Sequence, residues 1–248
     1  MNITKETINY DATKSAELNY VLFNSLSDLR KIIDDEFVDI MHADPDTYDL
    51  SSTKKELLDF ITSKAPKQKY GTVAEFFAHL TLRQMGYTQQ CIFKNLEEIS
   101  MKKGFDGLYA LNNDFWLAES KSAFTNATHT AKIQEAISDL RKKIEDKSSN
   151  NPWMNAAHHI FALQNGKRNE SITNRIKKLS SEYQRGICHK LEDYNIIPIS
   201  TLFIQNTQDF DKIKTWCEDF LKDKSYNKII FICLDNYVYD EFLEYLEN

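Results

Sequence analysis

The sequence predicts an α/β fold, a mixed central sheet with helices on both sides, and three observations carry that reading. Toward the end, two apolar runs, Asn195–Gln205 and Lys228–Leu234, flank an amphipathic segment, Asp209–Lys222. Strand, helix, strand, with strands apolar along their length, means a parallel pair covered on both faces. In the middle, Gly104–Leu111 and Phe115–Lys121 are rich in strand formers and meet at Asn112-Asn113-Asp114. That cluster is a turn, so the two runs form a hairpin. Elsewhere, apolar residues recur at three- and four-residue steps, as in helices that bury one face.

Taken in order, the chain to Lys69 reads as helices with acidic loops. Leu22, Leu26, Leu29, Ile33 and Phe37 fall on one helical face, and Thr53–Ser63 follows with Ser51 or Ser52 as its cap. Ala65-Pro66-Lys67 breaks the pattern and suggests a division into an N-terminal helical region, residues 1–69, and a main domain, residues 70–248. Thr72–Met85 reads as a helix stopped by Gly86. Gln90–Lys94 reads as a short strand before the hairpin. Thr128–Lys147 is helical, with Ile133, Ile137, Leu140 and Ile144 on one face. Helices over Trp153–Gln164 and Ser171–Gly186 precede the strand–helix–strand unit, and Val238–Leu246 closes the chain as a helix.

Composition narrows the function. The 248 residues suffice for a large core without disulfide or metal. No apolar run approaches a membrane span and the N-terminus has no secretory pattern, so a cytoplasmic protein is expected. Cys91, Cys188, Cys217 and Cys233 lack the paired spacing of a zinc site and read as reduced, mostly buried thiols. Adjacent His158 and His159 point apart on a helix and do not share a metal. The net charge is −6, yet residues 131–190 carry 12 basic and 6 acidic side chains between acidic ends. Lys142-Lys143, Gly166-Lys167-Arg168, Arg175, Lys177 and Lys178 are therefore candidate phosphate contacts. The helical N-terminal region is then the expected surface for a protein partner.

The chemistry is concentrated in Gly104-Phe105-Asp106-Gly107 and Glu119-Ser120-Lys121. In a hairpin, the start of the first strand lies opposite the end of the second, which brings Asp106 to Glu119. Glu119 and Lys121, two apart, share a strand face, and both are expected to be partly exposed. Two carboxylates and an ammonium at one sheet edge suit phosphodiester hydrolysis. Hard oxygen ligands hold Mg²⁺, and the ammonium orients water or neutralises developing charge. Glu75, on the helix before the sheet, is a third acidic candidate if it faces the sheet edge. Gln134, on the helix after it, reads as solvent-facing.

At these residues the chain resembles the PD-(D/E)xK nuclease superfamily and, more narrowly, the HamA family, the nuclease subunit of Hachiman anti-phage defence. The resemblance covers roughly Gly71–Leu234. It implies a restriction-endonuclease-like core, with Asp106, Glu119 and Glu75 as Mg²⁺ ligands and Lys121 assisting catalysis. It also implies DNA as substrate and a helicase-like ATPase as partner. Phe105 stands where the superfamily has proline. The competing reading is an inactive nuclease-fold subunit that binds nucleic acid or a partner protein.

Overall fold

The computed structural model describes residues 1–10, 14–42, 47–93, 104–124, 126–146, 150–163, 169–203 and 208–248. Two strands come first, β1 (Asn2–Asn9) and β2 (Ser15–Phe23), then three helices, α1 (Arg30–His42), α2 (Leu50–Thr62) and α3 (Pro66–Gln84). The short β3 (Thr88–Gln89) precedes β4 (Gly107–Leu111) and β5 (Asp114–Ala123). Three further helices follow, α4 (His129–Glu145), α5 (Pro152–Ala162) and α6 (Glu170–Gln184). The chain then runs through β6 (Asn195–Leu202), α7 (Phe210–Leu221), β7 (Lys228–Asn236) and α8 (Tyr239–Glu247).

The seven strands of the described residues form one sheet in the order β1-β2-β7-β6-β5-β4-β3. Its centre, β2, β7, β6 and β5, is parallel, and an antiparallel partner is added at each side. The fold is therefore the expected mixed sheet flanked by helices. Two large clusters of buried side chains cover the sheet, one per face, beside a small pair, Ile92 and Leu163. Phe115 and Leu117 of β5 pack with Ile133, Ile137 and Leu140 of α4 and with residues of α5, α6 and α7. Trp116 and Ala118 pack on the other face with Phe76 and Phe77 of α3, Phe37 of α1 and Phe242 of α8.

The reading of residues 1–69 as helical is corrected at its start. Leu22 lies in β2, while Leu26 and Leu29 are buried in the turn ahead of α1, so the helical spacing ran across a strand, a turn and a helix. β1 hid for a different reason. It is an edge strand with Ile8 as its buried residue, so its sequence has no apolar alternation. The division at residue 69 falls inside α3, because Pro66 is not a breaker there: it occupies the first helical turn, where its missing N–H costs nothing. The cap of α2 is Asp49, accepting from Ser52 N at 2.8 Å, rather than Ser51 or Ser52. The short strand stands at Thr88–Gln89 rather than Gln90–Lys94, and Gly166-Lys167-Arg168 lies outside the described residues.

Candidate active site

The hairpin that builds the site is set by its turn. Asn112 and Asn113 both have positive φ, 51° and 66°, the two-residue type I′ turn that asparagine tolerates and that matches strand twist. With Leu111 paired to Asp114, the register runs to Gly107 opposite Ala118, which brings Asp106 level with Glu119. Asp106 is fixed there because its Oδ2 accepts a hydrogen bond from Ser120 N at 2.9 Å. The glycines flanking it permit close approach. A Cβ on Gly104 would lie 2.6 Å from the Pro152 carbonyl oxygen, and one on Gly107 would lie 2.5 Å from the Tyr109 ring.

Alternation along β5 decides which way each side chain faces. Phe115 and Leu117 face α4, so Glu119 and Lys121 do as well, and Ser120 faces α3. The Glu119 carboxylate receives two ammoniums, Lys121 Nζ on Oε1 at 2.9 Å and Lys143 Nζ on Oε2 at 2.5 Å. Lys121 also lies 2.9 Å from Asp139 Oδ2, with Asp139 and Lys143 one turn apart on α4. Lys121 is partly exposed, as expected. Glu119 is not: it is 1% exposed.

Burial pushes the Glu119 carboxyl up, Asp106 adds to the rise, and the two lysines only partly offset them, leaving it at about 7. For Lys121, burial works to lower the ammonium. The Glu119 and Asp106 carboxylates outweigh it and hold the group above its ordinary value. Asp139 is lowered, burial being overcome by Lys121. Glu119 thus sits where positive charge is favoured, and two lysines supply part of what burial and Asp106 call for.

On the opposite side of β5, Glu75, His79, Asp106, Tyr109, Ser120 and Ile199 line a narrow crevice with about 10 Å³ of free space, room for a single water at most. Tyr109 donates to, or accepts from, His79 Nδ1 within it. The structure therefore sets Asp106 level with Glu119 in the strand register, where its charge acts on Glu119 and Lys121, while the Asp106 side chain lines the α3-side crevice with Glu75. Among the described residues no group of three His, Cys, Asp or Glu side chains is arranged to hold a metal ion. Mg²⁺ usually keeps several waters and takes one or two carboxylates. Asp106 and Glu119, level across two strands and mutually repulsive, are the two carboxylates such a donor set would draw on, with both Glu119 oxygens held by lysines in this structure.

The roles of three residues escaped the sequence reading. Lys143 read as a phosphate contact but is a partner of Glu119. Asp139 drew no notice, although its four-residue step to Lys143 beside the apolar stripe of α4 was a usable signal. Ser120, the central residue of Glu-Ser-Lys, holds Asp106 through its backbone. Gln134 is exposed, as expected.

A family model described as HamA matches residues 5–246, nearly the whole chain. The chain belongs to the HamA family. HamA proteins are subunits of Hachiman anti-phage defence, a multi-component system that includes a helicase. No curated protein and no solved structure matches the chain. No described helix of this HamA protein is long and apolar enough to cross a membrane.

Proposed function

We propose that this HamA protein is a PD-(D/E)xK nuclease, the Mg²⁺-dependent DNA endonuclease subunit of its defence system, controlled by a helicase-like partner. The observation that carries the reading is the level placement of Asp106 and Glu119 across β4 and β5 with Lys121 on Glu119. Asp106 and Glu119 are the metal ligands. Bound there, Mg²⁺ would stabilise charge on the phosphoryl oxygens and acidify a water. Glu75, beside Asp106 in the α3 crevice, orients water near that carboxylate. Lys121 exchanges Glu119 for a phosphate oxygen or the attacking water as DNA arrives, and Asp139 keeps its ammonium charged and aimed. Lys143 offsets the cost of an ionised, buried Glu119.

One observation favours the rival reading of an inactive subunit: the Glu119 carboxylate is buried with both oxygens held by lysines. The two readings separate in one assay. Supercoiled plasmid is incubated with the full chain and Mg²⁺, with and without the helicase-like subunit, for wild type, Lys121→Ala and Glu119→Gln. Cleavage by wild type and loss in both variants supports the nuclease. A wild type inert under every condition would leave a nucleic-acid or partner-binding subunit.

A further inference from the structure

Four aromatic side chains meet beyond the carboxyl ends of β5 and β6, next to the candidate centre. Tyr70, at the start of α3, stacks on Phe124 with ring centroids 4.6 Å apart and planes 8° apart. Its other face meets Tyr239, first residue of α8, at 4.3 Å and 25°. Phe203, just past β6, packs against this column, 5.2 Å from Tyr70 and 5.6 Å from Tyr239. A backbone bond from Phe203 N to Ala123 O, 2.9 Å, ties the two strand ends beneath it. The middle ring is covered on both faces. The outer ring, Phe124, meets Tyr70 on one face and is 44% exposed.

Location and charge say what such a ring could receive. In open α/β sheets, ligands bind outside the carboxyl ends of the strands, where this column stands. It also shares two elements with the crevice: α3 carries Tyr70 and Glu75, and β5 leads from Ser120 toward Phe124, just past its end. Four residues of extended chain put Phe124 about 13 Å from Ser120. Lys67 is exposed and Lys69 stands beside it in the first turn of α3, which holds no acidic residue, and neither lysine has an ion-pair partner among the described residues. One exposed ring is too small for a stable protein interface, which needs hundreds of Å² on each partner. It is the size of a base, and every base has a face that stacks on an aromatic ring.

We propose that the Phe124–Tyr70–Tyr239 column is a stacking platform for an unpaired nucleobase of DNA, with Lys67 and Lys69 meeting the adjoining phosphates. The platform extends the nuclease reading, on which it rests, by naming the substrate class: single-stranded or frayed DNA led along β5 toward Asp106 and Glu119. Its strength depends on a flat ring at position 124, not on apolar bulk.

The test is fluorescence anisotropy with the full chain, at low salt and in EDTA, so that no cleavage intervenes. The probes are a labelled oligothymidine and a blunt duplex of the same length. Wild type should prefer the oligothymidine. Phe124→Ala should bind it about tenfold more weakly, ~1.4 kcal/mol, with duplex affinity unchanged. Phe124→Trp should retain the preference, and Phe124→Leu should lose it as alanine does. Circular dichroism and the melting temperature check the fold of each variant. The proposal is overturned if wild type does not bind the oligothymidine, if leucine retains the preference, or if Phe124→Ala changes neither probe. Unchanged oligonucleotide binding with failed capture of the helicase-like subunit would make the column a protein-binding surface and would also overturn it. A preserved preference in a chain that cuts nothing with Mg²⁺ would defeat the nuclease reading alone.

Discussion

Truncating Glu119 to alanine would take a shared carboxylate from Lys121 and Lys143, both partly exposed and Lys121 still paired with Asp139, a loss of about 1–3 kcal/mol. Glu119→Gln keeps the shape and the acceptor oxygen, so it should fold and report on chemistry alone. The two variants should then differ in urea midpoint while both lack cleavage. The carboxyl also titrates in an accessible range. Between its ordinary 4.5 and about 7, folded Glu119 holds a proton that the unfolded chain releases. Its contribution therefore favours the fold at low pH and is lost as pH rises toward 7. In metal-free protein, Glu119→Gln should accordingly gain in melting temperature relative to wild type from pH 5 to about 7. A difference that stays flat over that range would mean Glu119 is ionised throughout. The two-residue spacing of Glu119 and Lys121 gave their shared face in advance. Burial did not follow from it, because the cover comes from Lys143 on α4, 24 residues away in the chain.

α4 presents Asp139 and Lys143 to β5, and what seats α4 is at its first residue. His129, fully buried, lies with Nδ1 2.9 Å from Ser200 Oγ on β6 and Nε2 3.1 Å from Asp235 Oδ1 on β7. Tyr20 of β2 donates to the same carboxylate. One polar network thus ties α4 to three strands, with Ser200 directly beside Lys121 in the sheet register. Asp235→Ala leaves His129 Nε2 and the Tyr20 hydroxyl without their partner together, and breaking a buried network of this kind should cost about 2–4 kcal/mol in chemical denaturation. Below the melting temperature the variant should also cleave more slowly, since Asp139 and Lys143 move with α4. Normal stability would show that the network is not what seats the helix. At this scale the hairpin, α4 and the β6-α7-β7 unit were legible because turn residues and apolar periodicity agree there. β2 was not, since Leu22, Leu26 and Leu29 imitate a helical face across an element boundary.

The charge map changes meaning once the strands are placed. β2 lies between β1 and β7, so deleting about 40 N-terminal residues, as the helical reading of that region would suggest, removes a central strand and should unfold the sheet instead of testing a partner surface. The basic block also divides. Lys143 belongs to the centre, Arg175 lies over the Phe115 ring at 4.6 Å, and Lys177 over the Phe161 ring at 4.6 Å. Lys142 and Lys178 stand out in water, their side chains 66% and 74% exposed, with loose partners at 3.5 Å and 3.8 Å. Exposed pairs of this kind are worth about 0–1 kcal/mol, so both lysines are free to exchange a carboxylate for a phosphate. Lys177 is exposed too and sits beside Lys178 on α6. A Lys142→Gln, Lys177→Gln, Lys178→Gln triple variant, sparing Lys143, should fold normally and bind duplex DNA with a log–log salt slope shallower by up to about 3, one for each phosphate no longer neutralised. The measurement is anisotropy against salt concentration in EDTA. A wild-type slope in the triple variant would assign DNA engagement to other lysines, and Lys67 and Lys69 at the aromatic column would be the next to replace.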